Sequence, residues 1–306
     1  MKLLSICFSA SLSLLIFSCD TAEPIIDGNL IAMTQTGAQF SPDGQKIVFE
    51  GLYDSVYAVH FVDISGNYLG YILDKKGFLS SPTWSPNNET ITVSIEGNLY
   101  TVNINGDSLR MLTNTGEDFF CNLSPDGGYL AYTKTICDPE CGIMLYDFSN
   151  GTTTLKTQYG SSASWSEDSK RVYYRNFFYI TDPKIKQGDY AGFVFKRIDL
   201  LTLKTDSLFY VKSSDGDLYI QDCTVSPDER EILFSASYGS PAQINIWKII
   251  LQTGEMFQIT FDGGNYPSYN HTGDKIAYTN TNIKEGGIWI MNRDGSNKQR
   301  LTKLNR

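Results

Sequence analysis

Two histidines, His60 and His271, occur in the 306 residues. The apolar spacing around His60 places it inside a strand, and His271 stands in a turn where related segments carry Pro. Two imidazoles in separate structural units cannot build a metal centre, which takes three or four convergent ligands. No metal and no cofactor are therefore expected. Asp43, Asp126, Asp168 and Asp228 form the most regular acidic set. They recur at one position of a repeated turn, which marks them as turn residues rather than catalytic carboxylates. Asp215-Gly216-Asp217 is too short for a calcium loop. Neither a Gly-x-Ser-x-Gly elbow, nor a P-loop, nor a dinucleotide fingerprint is present. Cys137 and Cys141 flank Asp-Pro-Glu and predict a local disulfide, whereas Cys121 and Cys223 read as small core residues of separate units. No catalytic residue emerges, and the chain is expected not to be an enzyme.

The elements that carry these residues are strands. Charged residues make up 19% of the chain, and 19 Tyr, 17 Phe and 26 Gly accompany them, a composition of strands and tight turns. The formal net charge of −9 repels phosphate backbones and argues against nucleic-acid binding. Six segments then share one pattern: Phe40-Ser41-Pro42-Asp43-Gly44, Trp84-Ser85-Pro86-Asn87-Asn88, Leu123-Ser124-Pro125-Asp126-Gly127, Trp165-Ser166-Glu167-Asp168-Ser169, Val225-Ser226-Pro227-Asp228-Glu229 and Tyr269-Asn270-His271-Thr272-Gly273. The anchor positions 41, 85, 124, 166, 226 and 270 lie 44, 39, 42, 60 and 44 residues apart, the period of a four-stranded propeller blade.

A large apolar residue ends one strand before each anchor, and the anchor segment supplies a reverse turn. Pro presets φ, Asp bonds its own backbone and Gly accepts positive φ. Six positions on stands Ile47, Ile91, Leu130, Val172, Ile232 or Ile276, and eight positions on Phe49, Val93, Tyr132, Tyr174, Phe234 or Tyr278. The spacing of two is strand periodicity. Three positions before the anchor stands Ala38, Pro82, Cys121, Ala163, Cys223 or Pro267, small enough for strands crowding an axis. A Leu-Thr or similar pair closes the fourth strand, as in Leu112-Thr113, Ile259-Thr260 and Leu301-Thr302. One blade cannot bury both of its faces, but six in a ring can. The expected fold is all-β, a six-bladed propeller of four-stranded antiparallel blades.

The first residues read differently. Lys2 precedes an apolar run from Leu3 to Phe17, too short for a transmembrane helix and laid out as a secretory signal. Its end, Ile16-Phe17-Ser18-Cys19, resembles the lipobox of bacterial lipoproteins. That resemblance implies cleavage before Cys19 and a diacylglycerol on its thiol; the alternative is an ordinary signal peptide with a chance Cys. Residues 1–18 are read as the signal peptide, 19–29 as a lipidated N-terminus and short tether, and 30–306 as the propeller. From Cys19 to Leu30 an extended chain spans at most roughly 35–40 Å, which would keep the ring near the bilayer.

The repeats resemble the WD-repeat-like Pro-Asp repeat of the TolB family, whose blades read roughly Pro-x-Trp-Ser-Pro-Asp-Gly-x-x-Ile-Ala-Phe. The resemblance covers about residues 25–302 and implies a TolB-like propeller in the cell envelope. It departs from TolB proper in its lipobox and in lacking room for an α/β domain before the first anchor. Propeller lyases of the oligogalacturonate type share the repeat but place several histidines on a metal, which His60 and His271 do not supply. Sialidase propellers need an Arg triad and Asp boxes with a trailing Thr-Trp, which these turns lack. The resemblance thus implies a membrane-tethered, non-catalytic protein, expected as a monomer, on the periplasmic side of either membrane or at the cell surface. It would hold an envelope protein or peptide at one propeller face. The alternative function is a carbohydrate-binding or carbohydrate-processing propeller beside a glycan-uptake system, which exposed paired aromatics near carboxylates would favour.

Two features sit outside the repeat. The segment Ile26–Thr34 resembles a repeat end and competes with Asp294–Thr302 for one outer-strand slot; it is expected to pad or close the sixth blade. The interval of 60 leaves about eighteen extra residues in blade four, assigned between Arg175 and Phe193. Phe177, Phe178, Tyr179 and Tyr190 are the candidate partner-binding residues there, since aromatic side chains dominate binding hot spots. In the other reading Phe177–Ile180 prolongs the second strand and packs on a neighbour.

Overall fold

A computed structural model describes residues 35–74, 76–137, 140–179, 190–212, 219–237, 243–282 and 284–302, without the side chains of residues 178, 179, 190 and 191. Cys19, the signal and tether segments and the segment Ile26–Thr34 lie outside the described residues. Among the described residues, twenty-four strands form six four-stranded sheets, each antiparallel and each built from consecutive strands. Blade one holds β1 (Gln35–Phe40), β2 (Lys46–Tyr53), β3 (Val56–Asp63) and β4 (Tyr68–Ile72). Blade two holds β5 (Leu79–Trp84), β6 (Thr90–Ile95), β7 (Asn98–Asn103) and β8 (Arg110–Met111). Blade three holds β9 (Asp118–Leu123), β10 (Tyr129–Lys134), β11 (Gly142–Asp147) and β12 (Thr152–Gln158). Blade four holds β13 (Ser161–Trp165), β14 (Arg171–Tyr179), β15 (Tyr190–Asp199) and β16 (Thr205–Lys212). Blade five holds β17 (Tyr219–Val225), β18 (Glu231–Ser237), β19 (Asn245–Ile250) and β20 (Met256–Gln258). Blade six holds β21 (Asn265–Tyr269), β22 (Lys275–Asn280), β23 (Gly287–Asn292) and β24 (Gln299–Arg300).

The apolar residue just before every anchor ends the first strand of its blade, as the repeat predicts. The turn that follows is a small hydrogen-bonded machine. The Ser hydroxyl donates to the Asp or Asn carboxyl or amide oxygen two residues on, at 2.6 Å in Ser41–Asp43, Ser85–Asn87 and Ser124–Asp126, and at 2.7 Å in Ser166–Asp168 and Ser226–Asp228. The same hydroxyl accepts the backbone N–H five residues on, as from Lys46 at 2.9 Å. In blade six the Asn270 Oδ1 takes that N–H from Lys275 at 3.0 Å, so Asn replaces Ser without losing the bond. The fourth residue of each turn has positive φ, +69° at Gly44 and +56° at Glu229, the conformation that makes Gly the favoured occupant.

Six buried clusters fill the six gaps between blades. The side chains six and eight positions after each anchor are all buried in them or beside them. The anchor tryptophans also tie blades together: Trp84 Nε1 donates to Gln39 O at 3.3 Å and Trp165 Nε1 to Asn122 O at 2.9 Å. The ring closes between blades one and six through Thr302 Oγ1, which donates to Gln35 Oε1 at 2.5 Å, and Ser268 Oγ, which donates to Ala38 O at 2.7 Å. Blade six draws all four of its described strands from its own repeat.

Blade four departs from the others in the length of its strands. β14 and β15 pair continuously from Arg171↔Asp199 to Tyr179↔Tyr190, with one register shift between Phe178 and Tyr179. Part of the extra sequence therefore lengthens the hairpin, and residues 180–189 lie outside the described residues. Strand-forming aromatic residues on both arms explain this. Phe177 packs on Phe193, ring centroids 4.8 Å apart, against the cluster between blades four and five.

Candidate functional site

The antiparallel order sets two faces on the ring. One carries the anchor turns; the other carries the second-to-third strand connections and the blade-to-blade connections. The lengthened β14–β15 hairpin belongs to the second face. At that end each first strand contains a β-bulge, seen as a register shift against the second strand in all six blades. Gly37, Ser81, Phe120, Ser162 and Tyr266 have φ between +51° and +67° there; Asp222 holds the matching position of blade five. Non-glycine residues with positive φ are uncommon and concentrate where geometry is constrained by function.

Nine positions after the anchor, the second-strand side chains of blades two, three, four and five reach the first strand of the following blade. Ser94 Oγ donates to Asp118 O at 2.7 Å, Thr133 Oγ1 accepts the Ser162 N–H at 3.3 Å, and Ser235 Oγ accepts the Tyr266 N–H at 3.1 Å. Two of the six positions are charged: Glu50 in blade one and Arg175 in blade four, opposite each other in a six-membered ring. Arg175 Nε donates to Gln221 O at 3.3 Å, and its guanidinium lies 5.8 Å from the Phe177 ring centre and 5.3 Å from that of Phe193. Glu50 accepts from Thr36 Oγ1 at 2.6 Å, and its carboxylate presses on Gly37, where any Cβ would collide with it.

Polar groups continue around the ring from Arg175. Asn265 Nδ2 donates to Gln221 Oε1 at 2.9 Å, the Gln221 amide donates to the Tyr266 hydroxyl, and the Ser235 N–H donates to Asp222 Oδ1 at 2.9 Å. Burial pushes the Asp222 carboxyl up to about 6 against the opposing pull of Ser235 and Arg175. It pushes Glu50 up to about 7 against the Thr36 hydrogen bond. Glu50 Oε2 and Asp222 Oδ2 are buried and have no hydrogen-bond partner among the described residues. Such an arrangement can hold polar groups of a partner by hydrogen bonds in a partly dry setting.

The structure distributes the residues singled out from the sequence as follows. Phe177 packs beside Arg175, while the side chains of Phe178, Tyr179 and Tyr190 lie outside the described residues; their backbones extend the same hairpin. Cys137 and Cys141 are joined by a disulfide, Cα atoms 4.4 Å apart, in the β10–β11 connection of that face. Cys121 and Cys223 are buried thiols donating to Ser81 O at 3.1 Å and Ser162 O at 3.3 Å. Burial pushes both up to about 12, so neither offers a thiolate at neutral pH. His60 is wholly buried in blade one, and His271 Nδ1 lies 3.0 Å from Glu167 Oε1 on the anchor-turn face. Among the described residues no three His, Cys, Asp or Glu side chains gather as a metal site. Glu50, Arg175, Gln221, Asp222, Asn265 and Tyr266 escaped sequence reasoning. For Glu50 and Arg175 the signal was the column nine positions after the anchor, where two charges interrupt Ser and Thr.

No family model matches the chain. An uncharacterised protein of Agrobacterium fabrum is 25% identical over 240 residues, 73% of this chain and 76% of that one. TolB from Acinetobacter baumannii superposes with a TM-score of 0.63 at 18% identity, covering 86% of this chain and 62% of that one. The chain is a six-bladed propeller structurally similar to that of TolB. An oligogalacturonate lyase from Vibrio parahaemolyticus has the same fold, with a TM-score of 0.54 and 12% identity over 84% of this chain and 90% of that one. The same fold is thus found in TolB and in an enzyme, and a site rather than the fold decides between functions.

Proposed function

We propose that this chain is a non-catalytic envelope protein, lipid-anchored through Cys19, that holds a protein or peptide at the face bearing the blade-four hairpin. One observation carries the reading: the β14–β15 hairpin lengthens at the end of the ring where Arg175, Gln221, Asp222 and Tyr266 form a connected polar rim. A hairpin beside a polar rim with aromatic residues on its arms has the make-up of a recognition surface, apolar anchors next to oriented hydrogen-bonding groups. The buried thiols and the separation of the two histidines support a binding role over a catalytic one. Similarity to the TolB propeller supports the envelope setting.

Replacing residues 178–191 with a short Gly-Ser linker tests the reading. The variant is expected to keep its circular dichroism and its cooperative unfolding, because Phe177 and Phe193 remain, and to lose the partner recovered with the wild type from solubilised envelopes. Unchanged recovery of that partner would contradict the proposal.

A further inference from the structure

Blade one carries a second feature: an exposed tyrosine pair on its outer edge. Tyr68 and Tyr71 of β4 are 40% and 45% exposed. Three residues apart on a regular strand, they would face opposite ways. A bulge prevents this. Val62 pairs with Tyr68 but Phe61 pairs with Gly70, so Leu69 is the extra residue. Gly70 has φ +121° and open space around its missing Cβ; it serves the backbone conformation, not a tight fit. The bulge turns both tyrosines to the His60 side of the sheet, their rings 6.0 and 5.9 Å from the imidazole.

His60 then fixes the pair from behind. Its Nε2 lies 3.0 Å from both Gly51 O and Val56 O, and its Nδ1 lies 3.0 Å from the Tyr68 hydroxyl. Two carbonyl acceptors require the proton on Nε2. Burial holds the imidazole pKa low and the ring neutral, so Nδ1 accepts from Tyr68. The imidazole stacks on the buried ring of Phe49 at 5.3 Å, and Tyr53 stacks on Tyr68 at 4.8 Å and 25°. Tyr68 therefore turns its hydroxyl inward and is locked in orientation, which is how a binding platform is preorganised. Burial, tyrosine neighbours and the Asp54 carboxylate of the adjoining β2–β3 turn push the Tyr68 phenol up to about 12.

We infer that Tyr68 and Tyr71, held by His60 and Tyr53 and flanked by Asp54, form a platform for a neutral oligosaccharide. The C–H face of a pyranose ring packs on an aromatic ring while its hydroxyl groups need acceptors, and this edge offers both chemistries. The net charge of −9 and the nearby Asp54 select against acidic sugars. The site lies in blade one, across the ring from the blade-four hairpin, so its success or failure leaves that reading untouched.

The test is calorimetric titration of the full mature chain with maltohexaose, cellohexaose, xylohexaose, mannohexaose and hexagalacturonate, each to about 10 mM, the range of weak binding. At least one neutral hexasaccharide is expected to bind and hexagalacturonate is not. Tyr71→Ala, which leaves the His60–Tyr68 bond in place, is expected to weaken binding at least tenfold with an unchanged melting temperature, and Tyr68→Ala to abolish it. No neutral sugar binding, equal binding of the galacturonate, or less than a twofold effect of Tyr71→Ala would overturn the inference. So would a loss of the protein partner, rather than the sugar, in a folded Tyr68→Ala variant.

Discussion

Glu50 shows how one residue can depart from its repeat and record the fact in its titration. At the equivalent positions of blades two, three, five and six stand Ser94, Thr133, Ser235 and Thr279, neutral side chains that need no charge solvated. Glu50 occupies the same buried place with a carboxyl whose pKa burial raises from 4.5 to about 7. A raised folded-state pKa means the fold favours the protonated form. Its contribution is full below about pH 4.5 and is lost as pH rises through about 7, on the order of 3 kcal/mol in all. Asp222, pushed up to about 6, acts in the same direction. Glu50→Gln keeps the shape of the protonated acid. Urea unfolding is therefore expected to show the variant more stable than wild type by about 1–3 kcal/mol at pH 8 and equal to it at pH 4; an identical difference at both pH values would contradict this. The residues of the anchor turns were legible in the sequence because their bonds are local, Ser to Asp over two positions and Ser to N–H over five. Glu50, Arg175 and Asp222 were not, because their partners come from other strands, Thr36 and Ser235 across a strand pair and Gln221 one blade away, and the column alone does not name them.

At the scale of elements, the Leu-Thr pairs show a motif whose place was legible and whose purpose was not. Thr302 Oγ1 accepts the Ile288 N–H at 2.8 Å and donates to Gln35 Oε1, stapling the last blade to the first. Thr260 Oγ1 likewise accepts the Ile246 N–H at 2.8 Å, and Thr113 Oγ1 the Leu99 N–H at 3.0 Å. Thr302→Val preserves volume but strands a buried amide and the Gln35 carbonyl, each costing roughly 1–3 kcal/mol. Chemical denaturation is expected to show a loss of about 2–4 kcal/mol, against less than about 0.5 kcal/mol for Thr152→Val on an exposed outer strand; equal effects would refute the staple. The interval of 60 residues announced the blade-four insertion, but whether it was loop or strand depended on pairing between Phe177 and Phe193 across the hairpin. Periodicity within either arm could not supply that pairing.

For the whole molecule, the period, the turn chemistry and the buried columns together specified six blades, and each column fell where expected because one blade's outer contacts are the next blade's inner ones. Attachment to a membrane rests on the N-terminal sequence. Cys19→Ala is expected to move the protein from the membrane to the soluble fraction of lysed cells, and a soluble wild type would remove the anchor from the account. The claim on which the function turns is that the blade-four face meets a partner. Site-specific photo-crosslinking in intact cells tests it most directly, with the reactive residue placed at position 179 or 190 on the hairpin and at position 271 on the anchor-turn face. The account expects one discrete protein adduct from 179 and 190 and none from 271. Adducts from 271 alone, or none from the hairpin, would contradict it.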